Sequence, residues 1–561
     1  MDNQRLFLWI GLAIILWITW RTWVEDYGTT PQPEPTVAEQ PAEDVREQPE
    51  PATPPADPDL PELDPDALPD LDVDDTGLPA EPETLRDTIR VVTDVLDVEI
   101  ALDGGDLVGA TLPKYPQSKD TPDQPVRLLS PRREDRFVFQ SGLRRVGDGA
   151  EPNHLARFSA DRDEFRLADG ADELVVELRW VDAEDGLEST KRYTFRRGWY
   201  GVTLDKTLVN EGAEPWSGAS YVQLQRRHLP PSRSLFSVDS YSFSGPVLYD
   251  GSSYDKLNVG DLADSPVRQT LPGGWLAGIQ HHFLAAAVPP PGEDVRYTAS
   301  ARDGMYLLSA VGPVTRIAPG SSERFTHELF VGPKLQSQLR ETGDRLELTV
   351  DYGVLTLLAQ PLFWMLDKVH SVVGNWGWSI IIVTLLIKLV FWKLTAMSGR
   401  SMAKMRKLQP RLKALQERYK DDRQQLSRAM MDLYKREKVN PAAGCLPILI
   451  QMPFFFAFYW VLLESVEMRQ APFMLWLNDL SSRDPLFILP LLMGAAMWFQ
   501  TRLNPAPPDP IQARIMQILP IVFTVFFAFF PSGLVLYWLT NTVASVLQQW
   551  RINTVIEREK A

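Results

Sequence analysis

The sequence WSIIIVTLLIKLVFWKL, from Trp378 to Leu394, is apolar enough to cross a membrane, yet it carries Lys388 well inside. An ionisable side chain at that depth costs about 3 kcal/mol on insertion scales, so it is a candidate functional residue. Thr384 lies one helical turn earlier on the same face. We therefore predict a polar, wet surface inside the bilayer. The alternative is that Lys388 snorkels to the headgroups, although the end of the stretch is about 10 Å away.

Acidic and basic residues are concentrated in different segments of this chain. The protein has 561 residues and a net charge of −16. Residues 25–85 hold nineteen acidic residues and a single basic one, Arg46, whereas residues 398–440 hold thirteen basic residues against five acidic ones. Such sorting is typical of a membrane protein with loops on two sides, because basic loops stay in the cytoplasm.

The sequence lacks the usual signatures of an enzyme. Cys445 is the one cysteine, so no intramolecular disulfide can form. His281 and His282 are adjacent in a strand-like run, which predicts that their side chains point to opposite faces and cannot share a metal. There is no phosphate-binding loop, zinc spacing or nucleophile elbow. We predict no enzymatic activity, no catalytic residues, no metal, no cofactor and no DNA partner.

The N-terminal segment contains a fifteen-residue apolar run from Leu6 to Trp20, preceded by Arg5. It could be a signal peptide, but no small-x-small cleavage site follows it. We therefore predict an uncleaved transmembrane anchor over residues 1–24 with a cytoplasmic N-terminus. Residues 25–85 are rich in Pro, Glu and Asp, which predicts a disordered, self-repelling tether.

Residues 86–335 have the sequence pattern of β-strands. The alternating apolar positions include Val98, Ile100 and Leu102 in one run and Val176, Leu178 and Trp180 in another. Period-two alternation between Gly- and Pro-containing turns predicts a soluble all-β sandwich. One anchor span before it places this domain on the far side of the membrane from the N-terminus.

Residues 336–375 include an amphipathic helical pattern. One face of this pattern is formed by Leu355, Leu358, Leu362, Phe363, Leu366 and Val369. We predict a helix that lies in the membrane interface. Counting it as a span would put the basic segment 398–440 outside, against the positive-inside rule.

The basic segment follows a first span at about 376–397. Its apolar residues recur every three or four positions, which predicts two helices packed as a hairpin over 398–440. Pro410 is predicted to bend the first of them. The basic outer surface is either a solvated face or a dock for ribosomal RNA or anionic lipid.

Four more apolar runs complete a predicted core at 376–552; they cover residues 446–463, 487–499, 515–530 and 534–547. The loop 464–486 has four acids and two arginines, which suits the outer side. Arg502 and Arg514 flank a Pro-rich loop that suits the cytoplasm. Six spans with both termini cytoplasmic, including a tail at 553–561, satisfy these loop charges.

Several stretches resemble the YidC-type membrane protein insertases, in the long Gram-negative form. In the core they are NWGWSIIIVTLLIK (375–388), SMAKMRKLQPRLKALQERY (401–419), KVNPAAGCLPILIQMPFFFAFYW (438–460), VEMRQAPFMLWLNDLS (466–481), DPLFILPLLMG (484–494) and FPSGLVLYWLTNT (530–542). Before the core they are MDNQR (1–5), TDVLDVEIALDGGDL (93–107) and LTVDYGVLTLLAQPLF (348–363).

This resemblance implies a multi-domain membrane protein with an α-helical core of five helices and an extra N-terminal anchor. It also implies a periplasmic β-supersandwich domain, a cytoplasmic helical hairpin and a hydrophilic groove closed to the periplasm. The implied substrates are hydrophobic segments of nascent inner-membrane proteins. They would arrive with the ribosome alone or alongside the Sec translocon.

One groove position departs from the family pattern. The family's groove charge is usually arginine, and this chain has Lys388 there, with Lys393 where a proline is common. The other residues expected on the groove wall are Thr384, Gln451, Tyr537, Trp538 and Asn541. For the last four, ordinary interhelical packing is the alternative. The residues expected to contact ribosome or lipid are Arg400, Lys404, Arg406, Lys407, Arg411 and Lys413.

We therefore predict a membrane protein insertase and chaperone of the bacterial inner membrane. A solute transporter or channel is the main alternative, but it would usually show internal repeats or several deep charges. A sugar-binding role for the β-domain is a third hypothesis, for which the sequence shows no aromatic and carboxylate cluster.

Overall fold

The computed structural model describes residues 87–119, 121–229, 242–419, 422–437, 446–503 and 510–558. The predicted anchor at 1–24, the tether at 25–85 and Cys445 lie outside the described residues.

The first part of the described chain folds into three β-sheets. A five-stranded sheet has the spatial order β4 (Thr121–Leu129), β3 (Asp106–Ser118), β2 (Asp97–Ala101), β1 (Thr88–Val92) and β7 (Glu164–Arg166). A nine-stranded sheet has the order β13 (Tyr254–Lys256), β12 (Ser244–Tyr249), β15 (Trp275–Gln280), β16 (Phe283–Val288), β20 (Ser321–Pro333), β10 (Gly201–Asn210), β9 (Leu187–Arg196), β8 (Glu173–Asp182) and β6 (Ser159–Ala160). A six-stranded sheet has the order β14 (Val267–Pro272), β17 (Asp294–Arg302), β18 (Met305–Val311), β11 (Trp216–Arg227) and β19 (Thr315–Ile317), with β5 (Phe137–Arg145) paired to β11.

The nine- and six-stranded sheets share one apolar core. Leu204 and Phe330 from the first sheet belong to the same buried cluster as Leu224 from the second. The five-stranded sheet adds to the same cluster, and the predicted alternation holds there too, because Val98 in β2 and Val176 in β8 of the nine-stranded sheet are both fully buried. The predicted β-sandwich is confirmed.

His281 and His282 occupy the two-residue turn between β15 and β16. The prediction that their rings point to opposite faces is wrong, because they are not in a strand. His281 has a positive φ of 45°, and the two rings stack with centroids 3.7 Å apart. Among the residues that the structure describes, no cluster of side chains could hold a metal ion.

The second part of the described chain is helical. Its helices, with a short one between β13 and β14, are α1 (Val259–Asp264), α2 (Gln336–Thr342), α3 (Thr356–Val373), α4 (Trp376–Val390), α5 (Trp392–Arg418), α6 (Arg423–Arg436), α7 (Leu446–Glu464), α8 (Ile488–Leu503), α9 (Pro510–Phe527) and α10 (Ser532–Arg558). Helix α3 buries Leu362, Phe363 and Leu366 on one side, as its pattern predicts. Leu357 and Trp364 stay exposed on the other.

The stretch Trp378–Leu394 is not one continuous helix. The chain breaks at Phe391, and α4 and α5 meet at a bend of 63°. The Phe391 ring packs edge-on against Phe454, with the ring centroids 5.1 Å apart, and so occupies the break. Across the described ranges, no single helix combines the length and apolarity of a membrane span, whereas α4 with residues Trp392–Ser401 meets that measure as a bent pair.

Helices α5 and α6 pack together through a small apolar cluster. Leu408 and Leu412 are buried there, and Arg411 forms an ion pair of 2.6 Å with Glu437. Helix α5 continues through Pro410. On its other side it touches α10 closely, since a Cβ at Gly399 would lie 2.8 Å from the Cδ1 atom of Ile552.

Candidate functional site

Lys388 lies on α4 against α10 and is only 7% exposed. Its Nζ donates a hydrogen bond of 2.7 Å to Ser545 Oγ, and Ser545 Oγ donates one of 2.7 Å to the carbonyl oxygen of Asn541. Within the described part of the chain, the ammonium has this hydroxyl partner and no carboxylate partner. The structure therefore brings Lys388 to Ser545, which was not among the predicted residues, while Asn541 contributes only its backbone carbonyl oxygen. Ser545 lies four residues after Asn541, and that helical spacing was the available signal.

Thr384 and Gln451 contribute less to this polar contact. Thr384 is 1% exposed, and its hydroxyl donates to the carbonyl of Ile380 in its own helix at 2.6 Å. That bond satisfies the hydroxyl locally, as is common for threonine inside an apolar helix. Gln451 is half-buried on α7.

Tyr537 and Trp538 form an aromatic contact between α7 and α10. The Tyr537 ring stacks on Phe458 with centroids 4.4 Å apart and planes 12° apart. The Trp538 ring meets Phe455 edge-on at 4.5 Å. Stacked and edge-to-face rings are favourable beyond the area that they bury. These aromatic pairs fix the position of α7 against α10.

Two further polar side chains of α10 are buried, and one of them reaches the helix break. Thr542 and Gln548 are each 3% exposed. Gln548 Nε2 donates to the carbonyl oxygen of Trp392, the first residue of α5, at 3.4 Å. The polar side of α10 therefore extends from Asn541 to Gln548.

The loop between α7 and α8 is bonded to the start of α10. Ser532 N donates to Ser482 O at 2.7 Å, and Ser532 Oγ donates to Asp479 O at 2.7 Å. Gly533 N donates to Leu480 O at 2.9 Å. These three bonds hold the loop against the first turn of α10.

Asp484 holds that loop in shape. It is 1% exposed, and it accepts hydrogen bonds from Trp476 Nε1 at 3.0 Å and from the backbone amides of Leu486 at 3.0 Å and Leu489 at 2.7 Å. A buried carboxylate with several donors is a strong local organiser, because each bond is charge-assisted. Asp484 also faces the first turn of α8, where a negative charge is favourable.

The basic residues expected to meet ribosome or lipid lie on α5. The exposed members of this set are Arg400, Lys404, Lys407, Arg411 and Lys413. Arg406 belongs to the same helix, but its side chain lies outside the described residues.

Glu467 lies just beyond α7, next to the β-domain. One carboxylate oxygen, Oε2, is enclosed without a hydrogen-bond partner. Burial raises the pKa of Glu467 to about 7, and Asp367 raises it further, whereas Lys334 and backbone hydrogen bonds lower it. The Tyr115 and Tyr352 hydroxyls lie close enough for their own pKa values to be raised by this carboxylate.

Glu467 predicts a dependence of stability on pH. Its pKa is about 7 in the folded chain, against an ordinary glutamate value of 4.5. The fold therefore disfavours the charged form, so stability should fall by about 3 kcal/mol as pH rises from 4.5 to 7. Thermal unfolding at pH 5 and pH 8 would measure this. Glu467→Gln should remove this contribution and so change the difference between the two pH values, and the exposed Glu323→Gln should leave that difference as in wild type. An unchanged pH slope in Glu467→Gln would contradict the prediction.

Comparison with known proteins identifies the family. Residues 88–365 match the family model described as YidC periplasmic domain, and residues 368–559 match the family model described as 60Kd inner membrane protein. Membrane protein insertase YidC of Thioalkalivibrio sulfidiphilus is 50% identical over 569 residues, covering 100% of this chain and 99% of the relative. That of Methylococcus capsulatus is 47% identical over 564 residues, covering 100% of both.

A solved structure of an active YidC insertase, with its first transmembrane domain resolved, covers 82% of this chain and 92% of its own, at 20% identity and a TM-score of 0.38. The matched relatives are inner-membrane insertases with a periplasmic domain, and their family is not enzymatic. By family models over most of its length and by relatives near 50% identity across all of it, this chain belongs to the YidC family of membrane protein insertases.

Proposed function

We propose that this chain inserts hydrophobic segments of nascent inner-membrane proteins into the bilayer through a polar groove between α4, α7 and α10. The observation that carries the proposal is Lys388, a buried ammonium bonded to Ser545. A polar tail that crosses a membrane must not meet bare hydrocarbon, because unsatisfied polar groups cost several kcal/mol there. A wet groove shortens that apolar path.

The mechanism follows from charge and partitioning. Lys388 attracts acidic groups of the entering tail, and the hydrophobic segment then moves sideways into lipid. The loop at 464–486, bonded to Ser532 and Gly533, keeps the outer end of the groove shut. Burial of the apolar segment in lipid, assisted by the membrane potential acting on tail charges, supplies the driving force.

The groove wall in this proposal includes Lys388, Ser545 and Asn541, with Tyr537 and Trp538 as its aromatic side. Thr384 supports α4 from within, and Gln451 lies on the α7 side. Lys388 supplies a single positive charge and cannot form the two parallel hydrogen bonds that the arginine usual at this position could donate. The groove would therefore attract an acidic group of the substrate without holding it in a fixed geometry of two parallel hydrogen bonds.

The domain organisation is part of the proposal. It comprises an anchor (1–24), a tether (25–85), a periplasmic β-supersandwich (86–335), an interfacial segment (336–375), a five-helix core (376–552) with a cytoplasmic hairpin (398–440), and a cytoplasmic tail (553–561). The exposed basic residues of α5 suit contacts with ribosomal RNA or anionic headgroups. The Sec translocon is the proposed partner for larger substrates.

Topology gives a direct test of this organisation. In a Cys445→Ser background, single cysteines at Ser401 and Ser252 should behave oppositely towards a membrane-impermeant thiol reagent. We expect labelling at 252 from the periplasmic side and at 401 only after the membrane is opened. Labelling at 401 in cells with only the outer membrane permeabilised would contradict the proposed sidedness.

Reconstitution tests the function itself. The purified protein in liposomes should insert a short single-span substrate without ATP. The signal is protection of the translocated tail from added protease, compared with empty liposomes. Insertion no better than in empty liposomes would refute the proposal. Solute flux through the same vesicles would favour the transporter or channel alternative.

A further inference from the structure

A buried ion pair joins the β-domain to the end of α7. Lys334, the residue after β20, places its Nζ 3.4 Å from Glu464 Oε2, and the two side chains are 2% and 6% exposed. Lys334 Nζ also donates to the carbonyl oxygen of Thr349 at 3.0 Å. The pair is therefore enclosed, and each charge depends on the other for compensation.

Three more β-domain side chains contact the same helix end, and one of them is His281, whose Nε2 lies 3.4 Å from the carbonyl oxygen of Leu463. Ser242 Oγ donates to Glu464 Oε1 at 2.8 Å. His282 Nε2 lies 3.0 Å from the carbonyl oxygen of Leu463. Carbonyls in the last turn of a helix lack partners within the helix, so this contact satisfies one of them. We call these five residues, Lys334, Ser242, His282, Leu463 and Glu464, the seam.

The seam holds the helix that forms one side of the groove. Glu464 ends α7, and two turns earlier on the same helix Phe458 stacks on Tyr537 of α10. Val461, between them, is completely buried. A displacement of the end of α7 would therefore also move the stacked rings of Phe458 and Tyr537, because close-packed interiors transmit strain.

We infer that Lys334 and Glu464 position α7, so that the last residues of the β-domain act as part of the groove's support. This inference rests on the proposed function, because it assigns a role in the same groove. Neither residue touches the substrate path, and both are positioning residues. Within the described residues, Lys334 and Glu464 form the one buried ion pair that connects the β-domain to α7.

The β-domain supplies a matched control. Lys191 and Asp106 form a second buried lysine–carboxylate pair, 3.1 Å apart and 1% and 5% exposed, wholly inside the β-sandwich. Lys191→Met should destabilise that domain without disturbing α7. Lys334→Met removes a charge from the seam itself. If loss of β-domain stability alone impaired insertion, the two variants would behave alike.

The experiment compares full-length wild type, Lys334→Met, Lys191→Met and the double variant Lys334→Met/Glu464→Leu in liposomes. Hydrogen exchange of residues 455–464 reports on α7, and insertion of a single-span substrate reports on function. We expect Lys334→Met to speed that exchange and reduce insertion about tenfold, because it leaves Glu464 buried and unpaired. The double variant should recover, since an apolar pair of similar volume leaves no unpaired charge.

Lys191→Met should leave α7 exchange unchanged and insertion within about twofold of wild type, because sites without shared partners act independently. Equal loss of insertion in both lysine variants would overturn the inference. So would unchanged α7 exchange in Lys334→Met, faster exchange with full insertion, or a double variant no better than the single one. Failure of the wild type to insert would instead refute the proposed function, and the exchange data would still test the seam.

Discussion

Lys388→Ala should reduce insertion of substrates with acidic tails about tenfold and leave neutral tails nearly unaffected, because a tenfold change needs only about 1.4 kcal/mol of lost attraction. The ammonium is buried, and its hydrogen-bond partner in the described chain is the neutral Ser545 hydroxyl, so no carboxylate there neutralises its charge. Lys388→Arg should keep function, since the charge persists. Lys388→Glu should be worse than Ala for acidic tails, because attraction becomes repulsion.

The measurement is insertion of paired substrates that differ only in tail charge. Lys393→Ala is the matched control, because Lys393 is an exposed lysine only five residues away, beyond the break at Phe391. It should not change the preference for acidic over neutral tails. Wild-type activity of both Lys388→Ala and Lys388→Glu on acidic tails would show that Lys388 snorkels and has no role in the groove.

Asp484→Ala should destabilise the protein by about 3 to 5 kcal/mol, because three charge-assisted hydrogen bonds are lost and their donors stay buried. Those donors are Trp476 Nε1 and the amides of Leu486 and Leu489. The loop that these bonds hold is itself bonded to the start of α10. Loss of the Asp484 carboxylate should therefore also open the proposed outer end of the groove.

Two measurements separate these effects. Thermal unfolding in detergent should show a lower midpoint for Asp484→Ala, and the exposed neighbour Arg483→Ala should match wild type. A cysteine at Ser545, in a Cys445→Ser background, should react with an impermeant periplasmic reagent only when Asp484 is replaced. A stable Asp484→Ala protein with an inaccessible cysteine at 545 would contradict the proposed closure.

The sequence was sufficient for features set by local pattern. Period-two alternation identified β2 and β8, and the face containing Leu362 and Leu366 identified α3 as amphipathic. Lys388 was identified by its depth in an apolar run. Each of these depends on residues a few positions apart, where helix and strand geometry fix which side chains share a face.

Contacts between distant segments were not predictable in this way. Ser545 is 157 residues from Lys388, and Glu464 is 130 residues from Lys334. Nothing in either local pattern specifies the other partner. The break at Phe391 was also missed, because the run remains apolar through it and no proline or glycine marks it. His281 and His282 were misplaced for a related reason, since a two-residue turn without glycine resembles a strand.

Helix α10 has 27 residues and is therefore about 40 Å long, which is about 10 Å more than the hydrocarbon thickness of a bilayer. It is bonded to Lys388 near its middle and packed on Gly399 of α5 near its end. Through these two contacts α10 is joined to the helices on both sides of the 63° bend between α4 and α5, so any change in that bend would have to move α10 as well.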